Sequence, residues 1–201
     1  MTERTEPVRD PRRAGLAYVD PLELVWCAAA AKIGFRVQRS SEVYAHFDGR
    51  GVIFVGTPET LDPDDSVAQM VFHELCHALV QAPDGLRRPD WGLDNTTDRD
   101  AYRERAALRL QRILALRVGL AGLLAPTTDY RAFYDALGAF PLHGPETETE
   151  LARRGLDRSA CAPFAPHLEE ALRVTRTIAG QAQTYAAGHV LPGAITALDP
   201  R

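Results

Sequence analysis

Residues 67–81 constrain this chain more than any other stretch. Val67, Val71, Leu75, Ala78 and Leu79 recur at helical spacing and supply an apolar stripe. Asp64, Asp65 and Ser66 precede the stripe, and each is able to cap a helix N-terminus. Pro83-Asp84-Gly85 follows it and stops a helix. The pattern predicts a helix that 61–66 lead into and that ends near Gln81. His73 and His77 lie beside the stripe, four residues apart. On a helix that spacing puts both imidazoles on one face, one turn apart. Two imidazoles so placed can bind one metal ion. Glu74, next to the first, reaches a metal-bound water rather than the metal and can serve as its general base. The expectation is a metal-dependent enzyme with ligands His73 and His77. The competing reading is two helix histidines with an exposed glutamate between them; the apolar flanks argue against it.

A metal site needs at least a third protein ligand. No histidine occurs between 78 and 142, so a carboxylate from the next helix is expected. That helix is predicted from Thr97 or Asp98 to about Gly119. It contains Tyr102-Arg103-Glu104-Arg105-Ala106-Ala107-Leu108-Arg109-Leu110. Ala107, Leu108 and Leu110 suggest a partly buried face, and a small residue at 107 allows close approach to the first helix. Glu104 is the first choice of ligand, with Asp94, Asp98 and Asp100 as alternatives. His143, in the loop 141–145, is a candidate catalytic group that would polarise a substrate oxygen; an ordinary surface histidine is the competing reading. Tyr102, Tyr130 and Tyr134 are candidate donors to an oxyanion, or simply core. Cys76 reads as a small buried apolar residue. His46, His167 and His189 have no partner spacing and read as structural.

The rest of the chain predicts an α+β fold. Residues 1–20, rich in Arg, Glu, Asp and Pro, are expected to be a flexible lead-in to a single domain over 21–201. Pro21 opens a helix to about Ile33, at the position where proline is favoured. Two β-rich runs, 42–47 and Val52–Gly56, flank Asp48-Gly49-Arg50-Gly51, and predict a hairpin. Residues 82–97 read as an ordered loop. Further helices are expected over 127–137, 147–156 and 166–187.

Composition excludes some functions. The formal net charge is −4, and the arginines are interspersed with acids, which argues against a dedicated nucleic-acid binder. Most of those arginines read as solvated helix faces. No run approaches the roughly 18 apolar residues of a membrane span. Three widely spaced cysteines, Cys27, Cys76 and Cys161, suit a reducing compartment better than a disulfide framework. A cytoplasmic location with neither nucleic-acid nor membrane partner is expected.

The segment His73-Glu74-Leu75-Cys76-His77 has the H-E-x-x-H pattern of the zincin group. With Glu104 followed three residues later by Ala107, the arrangement over residues 40–115 resembles a minimal gluzincin peptidase. That resemblance implies a zincin-like fold: a small sheet, then a metal helix, then a ligand helix. It also implies one Zn2+, Glu74 as base and hydrolysis of a peptide or protein substrate. Such peptidases offer an edge strand to extended substrate, and Val52–Gly56 is the candidate. A weaker resemblance is to elongation factor P hydroxylase, whose matching residues here are His73, Glu74, His77, Arg87-Arg88, Asp90-Trp91-Gly92 and Glu104. It implies non-haem Fe2+ and oxygen chemistry on a lysine-derived side chain. Two His and one carboxylate with open positions also suit ferrous iron chemically. This chain departs from that family at Leu93-Asp94-Asn95-Thr96-Thr97, where the family is rich in aromatics and glutamine. A third expectation is a zincin-like fold kept as a catalytically inactive binding module.

Overall fold

Asp20 begins the first helix by accepting from the Leu22 N–H at 2.8 Å, so that one of the orphan donors of the first turn is satisfied. The structure, a computed structural model, describes residues 19–94, 96–127 and 130–187; most of the expected lead-in, and His189, lie outside these. Helix α1 runs over Pro21–Ile33, as the sequence predicts. It stops at Gly34, whose φ of 118° is open to a residue without a side chain.

A three-stranded sheet follows: β1 (Arg36–Ser40), β2 (Ala45–Phe47) and β3 (Val52–Gly56), in the order β1-β3-β2. The expected hairpin is present. Strands β2 and β3 are antiparallel, with Ala45 opposite Val55. Asp48 closes the turn by accepting from the N–H groups of Arg50 and Val52. The sequence did not predict β1. Only one residue of Arg36-Val37-Gln38-Arg39-Ser40 is apolar, and the strand is largely exposed. It exists as a parallel edge partner to β3, with Arg36 beside Val52. This corrects the expectation for Val52–Gly56. That run is central and buried because both its sides are paired, so β2 and β1 carry the free edges.

Helix α2 (Val67–Gln81) is capped by Ser66, whose hydroxyl accepts from the Gln69 N–H at 3.2 Å. Phe72, Cys76 and Val80 are buried as well as the predicted stripe, so α2 is an interior helix rather than a surface one. It packs on α1, on β3 and on two later helices, α3 (Ala101–Arg117) and α5 (Glu146–Ser159). Close approach is built in at Gly155: a Cβ there would lie 2.7 Å from Leu110 Cδ2 and 3.2 Å from Val80 Cγ2. The segment between α2 and α3 is ordered through three short 3-10 turns, Asp84–Arg87, Pro89–Gly92 and Asp98–Asp100. Thr97 caps the last of them, so α3 begins slightly later than predicted. Helices α4 (Arg131–Ala136) and α6 (His167–Ala186) complete the molecule. Trp26 of α1 ties α6 in place, donating to the Thr175 hydroxyl at 3.1 Å. Among the described residues, no helix is long and apolar enough to cross a membrane.

One arginine departs from the solvated-face reading. Arg109 is only 3% exposed. It donates to Glu148 at 2.8 Å and to the carbonyls of Pro141 and His143 at 2.7 and 2.9 Å. The pair therefore joins α3 to α5 and fixes the loop that precedes α5. Removing Arg109 leaves the buried Glu148 with only the exposed Arg105, 3.5 Å away, and a buried charge so weakly paired is costly. Arg109→Met is expected to lower the unfolding free energy by about 3–5 kcal/mol in a urea titration. Arg154→Met, which breaks an exposed pair with Glu150, is expected to cost less than about 1 kcal/mol.

Candidate metal centre

Helices α2 and α3 run in opposite directions at the site, since His73 meets Gln111 while His77 meets Glu104. Ala107 lies between the two α3 residues and is fully buried. Its small side chain lets the helices approach, as the sequence suggested. The result brings three donor groups together. His73 Nε2 and His77 Nε2 are 3.0 Å apart. Glu104 Oε2 is 3.0 Å from His77 Nε2, and Oε1 is 3.3 Å from His73 Nε2. The imidazole planes are nearly perpendicular, at 88°. All three donor atoms fall within 4.8 Å of one another. Asp94, Asp98 and Asp100 are elsewhere. Asp94 accepts from the hydroxyls of Thr96 and Thr97, Asp100 accepts from the Asp94 N–H, and Asp98 is exposed.

The electrostatics of the cluster favour a positive charge within it. Burial opposes charge on His73, but the carboxylates of Glu104 and Glu74 outweigh it and raise its pKa to about 9. Burial likewise works against the Glu104 carboxylate, but the charges of His77 and His73 hold it well below the usual carboxylate range. A proton supplies that charge, and a divalent ion held by these groups would displace it. The donor chemistry fits an ion. Two imidazole nitrogens and one carboxylate suit zinc or ferrous iron with positions left open. Among the described residues, two of the four buried side-chain polar atoms that lack a hydrogen bond lie here, His77 Nδ1 and Glu104 Oε1, and a third, Gln81 Nε2, belongs to the next turn of α2.

His73 is oriented from behind. Its Nδ1 lies 2.9 Å from Gln111 Oε1, and the Gln111 amide donates to the Leu124 carbonyl at 2.8 Å. An amide oxygen only accepts, so the bond keeps one His73 proton on Nδ1, and the proton that an ion would displace is the one on Nε2.

Glu74 is 7% exposed and lines the same cavity of about 270 Å³ as His73, His77 and Glu104. The Trp91 indole N–H donates to its Oε2 at 2.6 Å. Trp91 in turn stacks on Phe47, with ring centroids 3.7 Å apart and planes 5° apart. The turn carrying it is strained: Asp90 and Trp91 have φ of 47° and 57°, a conformation costing about 1–3 kcal/mol per non-glycine residue. Asp90 holds this turn against β2 by accepting from His46 Nδ1 at 2.8 Å and the Phe47 N–H at 3.3 Å. His46 is therefore partnered across 44 residues, a contact that spacing could not reveal.

Other candidates sit apart from the cluster. His143 is exposed and stacks on Phe140 at 5.2 Å; it is not among the side chains lining the cavity. Tyr134 is buried, donating to the Ala121 carbonyl, and Tyr102 accepts from Arg103. Tyr130 does line the cavity, as do Tyr44 and Asp65. Tyr44 and Thr127 both donate to Asp65, and burial together with that bond pushes Tyr44 up to about 12. Cys76 is fully buried, and burial raises its thiol well above the ordinary range. Sequence reasoning missed Gln111, and it singled out Trp91 only through the second resemblance, without its bond to Glu74. Gln111 carried a signal, since it lies seven residues, or two turns, after Glu104 on one helix face. Trp91 carried none that pointed to Glu74.

No protein-family model matches the chain, and no curated protein and no solved structure matches it.

A double-mutant cycle over Trp91→Phe and Glu74→Ala tests the indole bond. The expected coupling is about 1.5–3 kcal/mol, the worth of a hydrogen bond to a charged group. A coupling indistinguishable from zero would mean that Trp91 only packs.

Proposed function

We propose that this protein is a metal-dependent hydrolase, a zinc metallopeptidase in which His73, His77 and Glu104 hold the ion and Glu74 is the general base. The observation that carries this reading is the meeting of the three donor atoms within 4.8 Å, in a cavity that Glu74 also lines. A bound divalent ion supplies a Lewis acid and brings the pKa of water into the neutral range. Glu74 supplies the proton acceptor. Its Oε2 is held by Trp91, which leaves Oε1 to take a proton and pass it to the leaving group. Gln111 keeps His73 in the tautomer that ligates.

An extended peptide as substrate is supported by β2. Gly56 N–H donates to the Tyr44 carbonyl and Asp48 N–H to the Val52 carbonyl. In an antiparallel pair this alternation turns the backbone groups of Ala45 and Phe47 away from β3. The Phe47 N–H is already taken by Asp90. Ala45, which lines the cavity, keeps an outward N–H and C=O for a substrate strand.

A second reading is an Fe2+-dependent hydroxylase acting on a protein side chain. The observation in its favour is that Trp91 of Asp90-Trp91-Gly92 donates to Glu74. The two readings part on reaction: cleavage of a mixed peptide library with zinc, or oxygen uptake with ferrous iron. The hydrolase reading predicts that His73→Ala and Glu104→Gln abolish metal binding. It predicts that Glu74→Gln keeps the metal and loses about 10²–10⁴-fold in peptide cleavage, the usual worth of a general base. Undiminished cleavage by Glu74→Gln sinks the mechanism. Oxygen uptake without cleavage selects the hydroxylase.

A further inference from the structure

The two histidines of the cluster are not equally supported. His73 has Gln111 behind it, bonded at 2.9 Å. His77 has nothing equivalent. Its side chain is 4% exposed, and Nδ1 is buried without a hydrogen bond. A ligating imidazole needs a partner on its second nitrogen to fix tautomer and ring orientation.

One turn further along α2 stands Gln81. It is 9% exposed, and its Nε2 is also buried without a partner. His73, His77 and Gln81 follow at four-residue intervals, which places them in one row on the helix. Gly85 packs against the base of this side chain. A Cβ on Gly85 would lie 2.5 Å from Gln81 Cβ and 2.7 Å from the Trp91 carbonyl, so only glycine leaves the room. A buried carboxamide left unpaired costs folding free energy that an apolar residue of the same size would not.

We infer that Gln81 is the positioning residue of His77, as Gln111 is of His73. The carboxamide meets Nδ1 by turning about its terminal torsion, which is soft. Both of its ends are useful. The NH2 group donates to a bare Nδ1, and the oxygen accepts from Nδ1–H when Nε2 holds an ion. The ligand-holding consequence rests on the metal reading above; the contact between the two side chains does not.

The experiment compares the parent protein with Gln81→Met and Gln81→Glu. Zinc affinity is measured by competition with a chromophoric chelator. Long-range proton–nitrogen spectra of the histidine rings are recorded on the metal-free proteins. Gln81→Met, close in volume but unable to pair, is expected to bind zinc about 10–100-fold more weakly, the usual loss for such a partner. Its metal-free melting temperature is expected to fall below the parent's, because the buried His77 Nδ1 loses its partner. Gln81→Glu, which keeps an acceptor, is expected to restore most of the affinity. In the metal-free spectra, the His77 Nδ1 resonance moves in Gln81→Met while those of His46 and His167 stay. Zinc affinity of Gln81→Met within about twofold of the parent's overturns the positioning role. An unmoved Nδ1 resonance overturns the contact itself. Failure of the parent to bind zinc would defeat the metal reading instead, and the metal-free spectra would still decide the contact.

Discussion

Bringing the half-buried His73 and Glu104 onto the buried His77 between α2 and α3 concentrates polar chemistry beside the core, and the surrounding structure answers that cost. Buried ionisable groups survive only when they are paired or bound to a cation. Here each histidine faces the glutamate at hydrogen-bonding or ion-pair distance. The pairing demands that two helices come close, which Ala107 allows on α3. Gly155 does the same for α5, which braces α2 and α3 from behind. Rigid burial of α2 on nearly all sides then holds the imidazoles in register.

The second organising contact is made by the turn at Pro89–Gly92. It carries left-handed backbone at two non-glycine residues, and such strain persists only where neighbours over-determine it. Asp90 binds the edge of β2, and Trp91 stacks on Phe47 while reaching Glu74. The hairpin and the catalytic candidate are thereby one unit. This explains why the sheet matters although no ligand comes from it: it sets the position of Trp91, and through it one oxygen of Glu74.

Much of this was legible in the sequence where the signal was local. Periodicity, caps and breakers located α1, α2, α3 and the hairpin, because those elements are coded by neighbours in the chain. The meeting of the three candidate ligands was legible for the same reason: His73 and His77 share a helical face, and Glu104 sits at the start of the next helix beside a small residue. What escaped was coded at a distance. Strand β1 forms because β3 offers an edge, not because Arg36–Ser40 has a strand pattern of its own. The edge beside the cavity belongs to β2 rather than to Val52–Gly56, because strand order follows from packing. Arg109 looks like any surface arginine until Glu148, 39 residues on, meets it in the core. Trp91 and His46 gain their roles from partners that no spacing rule connects.

The central claim is that His73, His77 and Glu104 hold one ion. Anomalous scattering from a crystal of the zinc-loaded protein tests it most directly. The account predicts one peak about 2.0–2.2 Å from Nε2 of both histidines and from a Glu104 carboxylate oxygen. A peak with Glu104 more than about 4 Å away, or no peak between α2 and α3, would contradict it.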